Sequence, residues 1–372
     1  MITRQELKEL ASIASRDSLF ASLYLNVDPK ENPKNDWQLH FKNLARSAVV
    51  KLPADLRPHA QKDVDYIEAY LNDRPDGLRR GLAVFSNVDS GYWRVFNTMV
   101  AFPNQLVITR DPFIKPLVAM IDIYQRYLVL VVGVTKARLL ITSLGEIEEF
   151  TSIYKPLESG EAARDGSVYG FGDLRAQRSR EKIERIVHKD ALAATERLLV
   201  EEGIKRILLG GTDGGRGRFK EAMPALTRER VVGEFAVDRN AGDHEILEQL
   251  IPVMKEVEYK FERKAINELF DNANNRSVFG LSDVLTALQQ GNVHKIFVLN
   301  NFTLPGMSCR RCGALTPERD RPCPYCGEVM ERVPYMLDTA IQKAIEQGAR
   351  VDMLEHAPRL HEIGGIAALL RY

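Results

Sequence analysis

Every cysteine in this chain falls between residues 309 and 326, and that clustering constrains the fold more than any other feature. The pattern is Cys309-Arg-Arg-Cys312-Gly and Cys323-Pro-Tyr-Cys326-Gly, with ten residues between Cys312 and Cys323. Each Cys-x-x-Cys turn can place two thiolates on one ion, and two such turns complete a tetrahedral Cys₄ shell. The glycine after each second cysteine lets backbone amides approach the sulfurs. The expectation is one structural Zn²⁺ held by Cys309, Cys312, Cys323 and Cys326 in a zinc ribbon over 307–330. A closed shell leaves no position for water or substrate, so catalytic zinc is not expected. The alternatives are a redox disulfide or four free thiols. With no cysteines elsewhere there is no scattered disulfide framework, which points to a reducing, cytoplasmic setting.

At 372 residues the chain is too long for one ordinary core, and two or three domains is the natural prior. Its 45% hydrophobic and 27% charged residues are a globular composition. The formal net charge is zero, so any contact with nucleic acid must come from local patches. The longest apolar run, Tyr127 to Val134, spans eight residues and cannot cross a bilayer, so no membrane is expected. Thr3 and Glu6 stand in capping-box spacing, which reads as a helix start rather than a signal peptide.

Helix and strand alternate along the chain, so the expected fold class is multi-domain α/β. Three stretches emerge: 1–120, 121–264 and 265–372. In the first, Leu7, Leu10, Ile13 and Ala14 form a helical stripe and Ser18 to Val27 a strand. Helices follow over Leu39–Val50 and Val64–Leu71, then strands starting at Gly81 and Tyr92. The second has strand candidates at Tyr127–Val134, Ala137–Thr142 and Glu148–Tyr154. A glycine-bearing loop (155–173) comes next, then a long helix with Ile183, Ile186, Val187, Ala191, Ala194 and Leu198 on one face. Gly203 stops that helix before the buried strand from Arg206. A long amphipathic helix over Glu245–Asn272 bridges to the third stretch. There Ser282 is the expected N-cap of a helix, followed by a strand at Lys295–Leu299, the cysteines, a helix at Tyr335–Gln347 and strands at Arg350–Glu355 and Ile363–Tyr372.

Window 174–189 carries Arg175, Arg178, Arg180, Lys182, Arg185 and Lys189 against only Glu181 and Glu184. Arg175, Arg178 and Lys182 share a helical face opposite the apolar stripe. The stripe reads either as a phosphate-facing surface for RNA or as a solvated helix face. The preceding loop, Gly166-Ser-Val-Tyr-Gly170-Phe171-Gly172, reads either as a flexible tip with aromatics for base stacking or as a plain glycine-rich turn. The cluster from Gly210 to Gly217 lacks the Lys-Ser/Thr ending of a Walker loop. No nucleophile–base pairing is legible: the seven histidines are scattered and no Gly-x-Ser-x-Gly elbow occurs.

Several stretches together resemble the archaeal and eukaryotic class-1 peptide chain release factors and their bacterial relatives. Gly364-Gly-Ile-Ala-Ala-Leu-Leu-Arg-Tyr is similar to that family's closing signature, and the segment ending Cys323-Pro-Tyr-Cys-Gly to the zinc ribbon of archaeal members. Asp283-Val-Leu-Thr-Ala-Leu-Gln-Gln-Gly-Asn-Val-His-Lys-Ile-Phe-Val-Leu resembles the entry to the family's third domain. Leu208-Leu-Gly-Gly-Thr-Asp-Gly and Leu174-Arg-Ala-Gln-Arg-Ser-Arg resemble the post-strand turn and the basic helix behind its catalytic loop. The likeness is good over 120–372 and loose over 1–120, through Ser22-Leu-Tyr-Leu-Asn-Val.

The resemblance implies a decoding-type α/β N-domain, a ribonuclease-H-like middle domain and an α/β/α sandwich that carries the zinc ribbon and docks a translational GTPase. It implies action in the ribosomal A site, in termination, rescue or quality control, with the ribosome, ribosomal RNA and peptidyl-tRNA as partners. Arg175, Arg178, Arg180, Lys182 and Arg185 become the RNA-binding candidates. Aligning the helix start puts Tyr169-Gly170-Phe171 where the family carries Gly-Gly-Gln, so Gly170, Phe171, Gly172 and Gln177 are the tip candidates. A phenyl ring cannot make the tip's hydrogen bond and crowds the attacking water. The Asn-Ile-Lys-Ser and Tyr-x-Cys-x-x-x-Phe motifs that read stop codons are absent from the first 120 residues. The favoured expectation is therefore an A-site binding factor. The alternatives are a peptidyl-tRNA ester hydrolase with a non-standard tip and, last, a nuclease.

Overall fold

The computed structural model describes residues 4–13, 18–33, 36–73, 78–123, 125–143, 146–156, 171–238, 240–271, 276–318, 321–355 and 357–372. The chain forms two compact units, one made of 1–123 with 262–372, the other of 124–261.

The first unit begins with α1 (Arg4–Ala11), β1 (Phe20–Asn26), α2 (Trp37–Val50), α3 (Arg57–Asn72), β2 (Gly81–Asn87), β3 (Tyr92–Thr98), β4 (Gln105–Thr109) and α4 (Lys115–Ile123). The strands form an antiparallel sheet in the order β3-β2-β1-β4. Side chains alternate across a strand, and β1 uses both faces. Ala21, Leu23 and Leu25 pack on Trp37 and Phe41 of α2 and on Val64 and Ile67 of α3. On the other face Tyr24 meets Phe85, Phe102 and Phe113 edge-on, and its hydroxyl donates to Phe113 O at 2.6 Å. Ser22 Oγ accepts from Phe113 N, so this face clamps the segment leading into α4.

The second unit holds β5 (Tyr127–Val132), β6 (Lys136–Ser143), β7 (Glu146–Tyr154), α5 (Phe171–Glu201), β8 (Arg206–Gly211), α6 (Asp213–Ala222), α7 (Ala225–Arg228), β9 (Val231–Ala236) and most of α8 (Asp243–Asp271). Its sheet runs β7-β6-β5-β8-β9, with an antiparallel meander β7-β6-β5 continued by parallel β8 and β9. The unbroken apolar run in β5 follows from its central place: a strand covered on both faces needs no polar alternation. Leu128, Leu130 and Val132 pack with Val187, Ala191 and Leu198 of α5 and Phe219 of α6. Tyr127, Val129 and Val131 pack with Ile246, Leu250 and Val257 of α8.

Helix α8 runs past Phe261 into the first unit, which continues with β10 (Ser277–Phe279), α9 (Leu281–Gln289), β11 (Val293–Leu299), β12 (Gly306–Cys309), β13 (Leu315–Thr316), β14 (Met330–Val333), α10 (Met336–Glu346), β15 (Arg350–Leu354), α11 (Pro358–Glu362) and β16 (Ile366–Leu370). One sheet is ordered β10-β16-β11-β15 with only β11–β15 parallel, and the cysteine segment has its own small sheet, β13-β12-β14. Helix α10 stitches the N-terminal part of this unit to the C-terminal part. Asp338 Oδ1 accepts from Ile114 N and Lys115 N at 3.1 and 2.8 Å, satisfying amides at the start of α4 that have no partner inside the helix. Gln342 donates to Pro112 O, Lys115 Nζ donates to Phe302 O at 2.6 Å, and Phe113 packs on Tyr335.

Several local readings need correction. Ser282 is not the N-cap: α9 starts at Leu281 after Gly280, whose φ of 77° only glycine takes freely. Ile186 is 41% exposed, because α5 buries a narrower face than the sequence stripe suggests. The final strand is shorter than Ile363–Tyr372, since α11 and the left-handed glycines 364 and 365 come before β16. Thr3 and Ala14 lie outside the described residues.

Candidate functional site

The cysteine segment folds as two matching turns. Cys309 N donates to Ala314 O and Gly313 N to Cys309 O; in the second turn Cys323 N donates to Glu328 O and Gly327 N to Cys323 O, all at 2.8–2.9 Å. Both glycines are left-handed, with φ of 66° and 75°, which explains why a glycine follows each second cysteine. The four Sγ atoms lie within 4.8 Å of one another. Cys309–Cys326 and Cys312–Cys323 are each 3.4 Å apart, well beyond the ~2.05 Å of a disulfide. A tetrahedral shell with metal–sulfur bonds of about 2.3 Å has sulfur–sulfur edges of about 3.8 Å, within the observed spread. Cys309 and Cys323 are buried against Ala314 and Met330. Burial pushes the Cys323 thiol up, but the amides of Tyr325 and Cys326 outweigh it and bring it down to about 7. Burial drives Cys312 up to about 12. Four mutually repelling sulfurs that cannot all ionise unaided are what a bound cation would resolve. The first turn is anchored to the body of its unit: Lys343 Nζ donates to Gly313 O and to Gln289 Oε1, and Gln289 Nε2 to Cys312 O.

The basic residues lie on α5. Arg178, Arg180, Lys182 and Arg185 are exposed, and none forms an ion pair among the described residues. At 100° per residue, Arg178, Lys182, Arg185 and also Lys189 fall within a narrow arc opposite Val187 and Leu198. Arg180 lies about 200° round from Arg178, so it does not belong to that stripe. The Arg175 side chain lies outside the described residues.

Of the tip candidates, Gly170 is outside the described residues, whereas Phe171 and Gly172 form the first turn of α5 rather than the end of a loop. Gln177 is exposed on the same helix, and its Nε2 donates to Glu181 Oε1 at 3.1 Å. The turn from β8 into α6 is capped by Thr212, whose Oγ1 accepts from Gly215 N. Arg216 beside it is committed internally, to the carbonyls of Gly211 and Phe235 and to Glu234 and Asp213.

Sequence reasoning missed a polar cluster between α5 and α6. Arg218 Nε donates to both oxygens of buried Glu184 at 2.9 and 3.0 Å, and His188 stands beside them, 5% exposed and edge-on to Phe219. The Glu184–His188 spacing of four on one helix was available as a signal; the partner on α6 was not.

Residues 112–255 match the model for bacterial archaeo-eukaryotic release factor family 10, and residues 259–372 match that for eRF1 domain 3. Peptide chain release factor subunit 1 of Methanocaldococcus jannaschii is 22% identical over 99% of this chain and 96% of its own length. The Protein pelota homolog of Thermococcus kodakarensis is 21% identical over 64% of this chain, which spans 62% of that relative. Among solved structures, the archaeal translation termination factor aRF1 aligns over 100% of this chain and 99% of its own, at 14% identity and a TM-score of 0.28. The chain belongs to the archaeal and eukaryotic-type peptide chain release factor family.

Proposed function

We propose that this protein is a ribosome A-site binding factor acting in translation termination, ribosome rescue or quality control. The observation that carries this reading is the pair of family matches over 112–255 and 259–372, with a release-factor relative spanning nearly the whole chain. The exposed stripe Arg178, Lys182 and Arg185 supports it, because exposed cations on one helix suit the phosphates of ribosomal or transfer RNA. The β7-β6-β5 meander continued by parallel strands, with helices on both faces, supports a ribonuclease-H-like middle domain within 121–264. A decoding-type domain over 1–120 and a GTPase-docking α/β/α domain over 265–372 complete the proposed partition. The four cysteines would hold structural Zn²⁺ in a ribbon over 307–330. Among the described residues no helix is long and apolar enough to cross a membrane, and the proposed setting is the cytoplasm.

On chemistry the favoured reading is binding without strong ester hydrolysis. On the alignment that the resemblance implies, Phe171 takes the place of the family's glutamine, and Gln177 lies further along α5, hydrogen-bonded to Glu181. The test is single-turnover peptide release from purified ribosomal complexes by wild type, Phe171→Gln and Gln177→Ala. Little release from wild type, with a gain in Phe171→Gln, is expected. Strong wild-type release that collapses in Gln177→Ala would establish the hydrolase reading instead.

A further inference from the structure

The facing surfaces of α5 and α6 leave an open groove of about 740 Å³ that the reading above does not use. Its apolar part is Leu192, Ala193, Ala222 and Pro224. Glu184 and Arg218 neutralise each other across it, which leaves two sets of charge with separate places. Arg185 and Lys189 continue the basic stripe of α5 into the groove, while Glu181, Glu196 and Glu221 offer carboxylate acceptors. Glu221 is exposed and makes no hydrogen bond among the described residues. One polar atom in the wall also lacks a partner among the described residues: Nε2 of His188 is buried and makes no hydrogen bond there, with Glu184 Oε1 3.8 Å away. Burial favours the neutral imidazole, against the pull of Glu184, so the ring can either donate or accept.

A simple anion would meet three carboxylates here, and a simple cation would meet Arg185 and Lys189. A ligand with a flat apolar face, an amine-bearing edge and a phosphate at one end satisfies all three regions. We propose that the groove between α5 and α6 seats one unpaired RNA nucleotide whose base carries an exocyclic amine: adenine, cytosine or guanine, but not uracil. The base lies on Ala193, Ala222 and Pro224, its amine donates to the carboxylates, and its phosphates lead out along Lys189 and Arg185. Carboxylates accept from base amines in this way, and uracil has no amine to offer. The proposal rests on the ribosomal reading for its choice of RNA.

The test uses the full chain and labelled hexanucleotides r(A)₆, r(C)₆ and r(U)₆, with affinity read by fluorescence anisotropy at low salt. Adenine and cytosine strands should bind about fivefold more tightly than uracil strands or better, as befits a single amine contact. Ala193→Trp, which fills the groove from an exposed helix position, should erase that preference, and the milder Glu221→Gln should reduce it. Equal affinity for the three strands, or a preference that survives in both variants, overturns the proposal. Ribosome co-sedimentation is measured alongside. A chain that sediments with ribosomes but shows no base preference keeps its function and loses this site; preference without sedimentation does the reverse.

Discussion

Asp338 is one of the side chains of α10 that join the two parts of the first unit. It caps α4 from α10, and burial pushes its carboxyl up to about 7 against the opposing pull of the Lys115 and Ile114 amides and the Lys115 ammonium. An unfolded aspartate titrates near 4. Between about pH 4 and 7 the folded state therefore holds a proton that the unfolded state has lost. Its contribution is full below about pH 4 and fades as pH rises through 7. Asp338→Asn keeps the accepting oxygen and cannot ionise. Melting temperatures should shift in favour of the Asn variant as pH is raised from 5 to 8; a gap that stays constant would contradict the assignment. Nothing in the sequence announced this residue, because its partners lie more than 220 positions away. The cysteines were legible for the opposite reason: metal-ligand geometry is local, and two short turns carry it whole. Protein purified without chelator should contain one zinc per chain, and Cys323→Ser should lose it while the second unit keeps its melting transition. Gly327 sits at φ 75° with open space around a would-be Cβ, so Gly327→Ala should cost about 1 kcal/mol through backbone strain alone. A neutral result in thermal denaturation would show that the turn relaxes.

Helix α5 is the element on which most of the proposed function rides. Its periodicity revealed the apolar face and, opposite it, the stripe Arg175, Arg178 and Lys182, and helical geometry adds Arg185 and Lys189 to the same arc. What periodicity could not supply is the neighbour across the groove, since Glu184 reads as one more acid until Arg218 of α6 is seen to grip it. Exposed, unpaired cations contribute little to folding. Triple reversal of Arg178, Lys182 and Arg185 to Glu should therefore leave the melting temperature within about 2 °C. The same variant should weaken ribosome association and lower its salt slope by about two to three. Unchanged association would return the stripe to a plain solvated face.

For the molecule as a whole, element order and the strand–helix alternation were legible, and so was the family, through motifs strongest toward the C-terminus. The grouping of residues 1–123 with 262–372 in one unit was not, because it depends on α10 meeting the segment around Pro112 through hydrogen bonds between residues more than 220 positions apart, which no motif announces. The central claim is that this fold is built to bind ribosomes. Its most direct test is co-sedimentation of the purified full chain with 70S ribosomes carrying P-site tRNA and an empty A site, across a salt series. The account predicts saturable binding that is lost when an A-site tRNA is present and that falls steeply with salt, as expected when several phosphates are neutralised. Absence of binding at low salt, or binding indifferent to A-site occupancy, would contradict it.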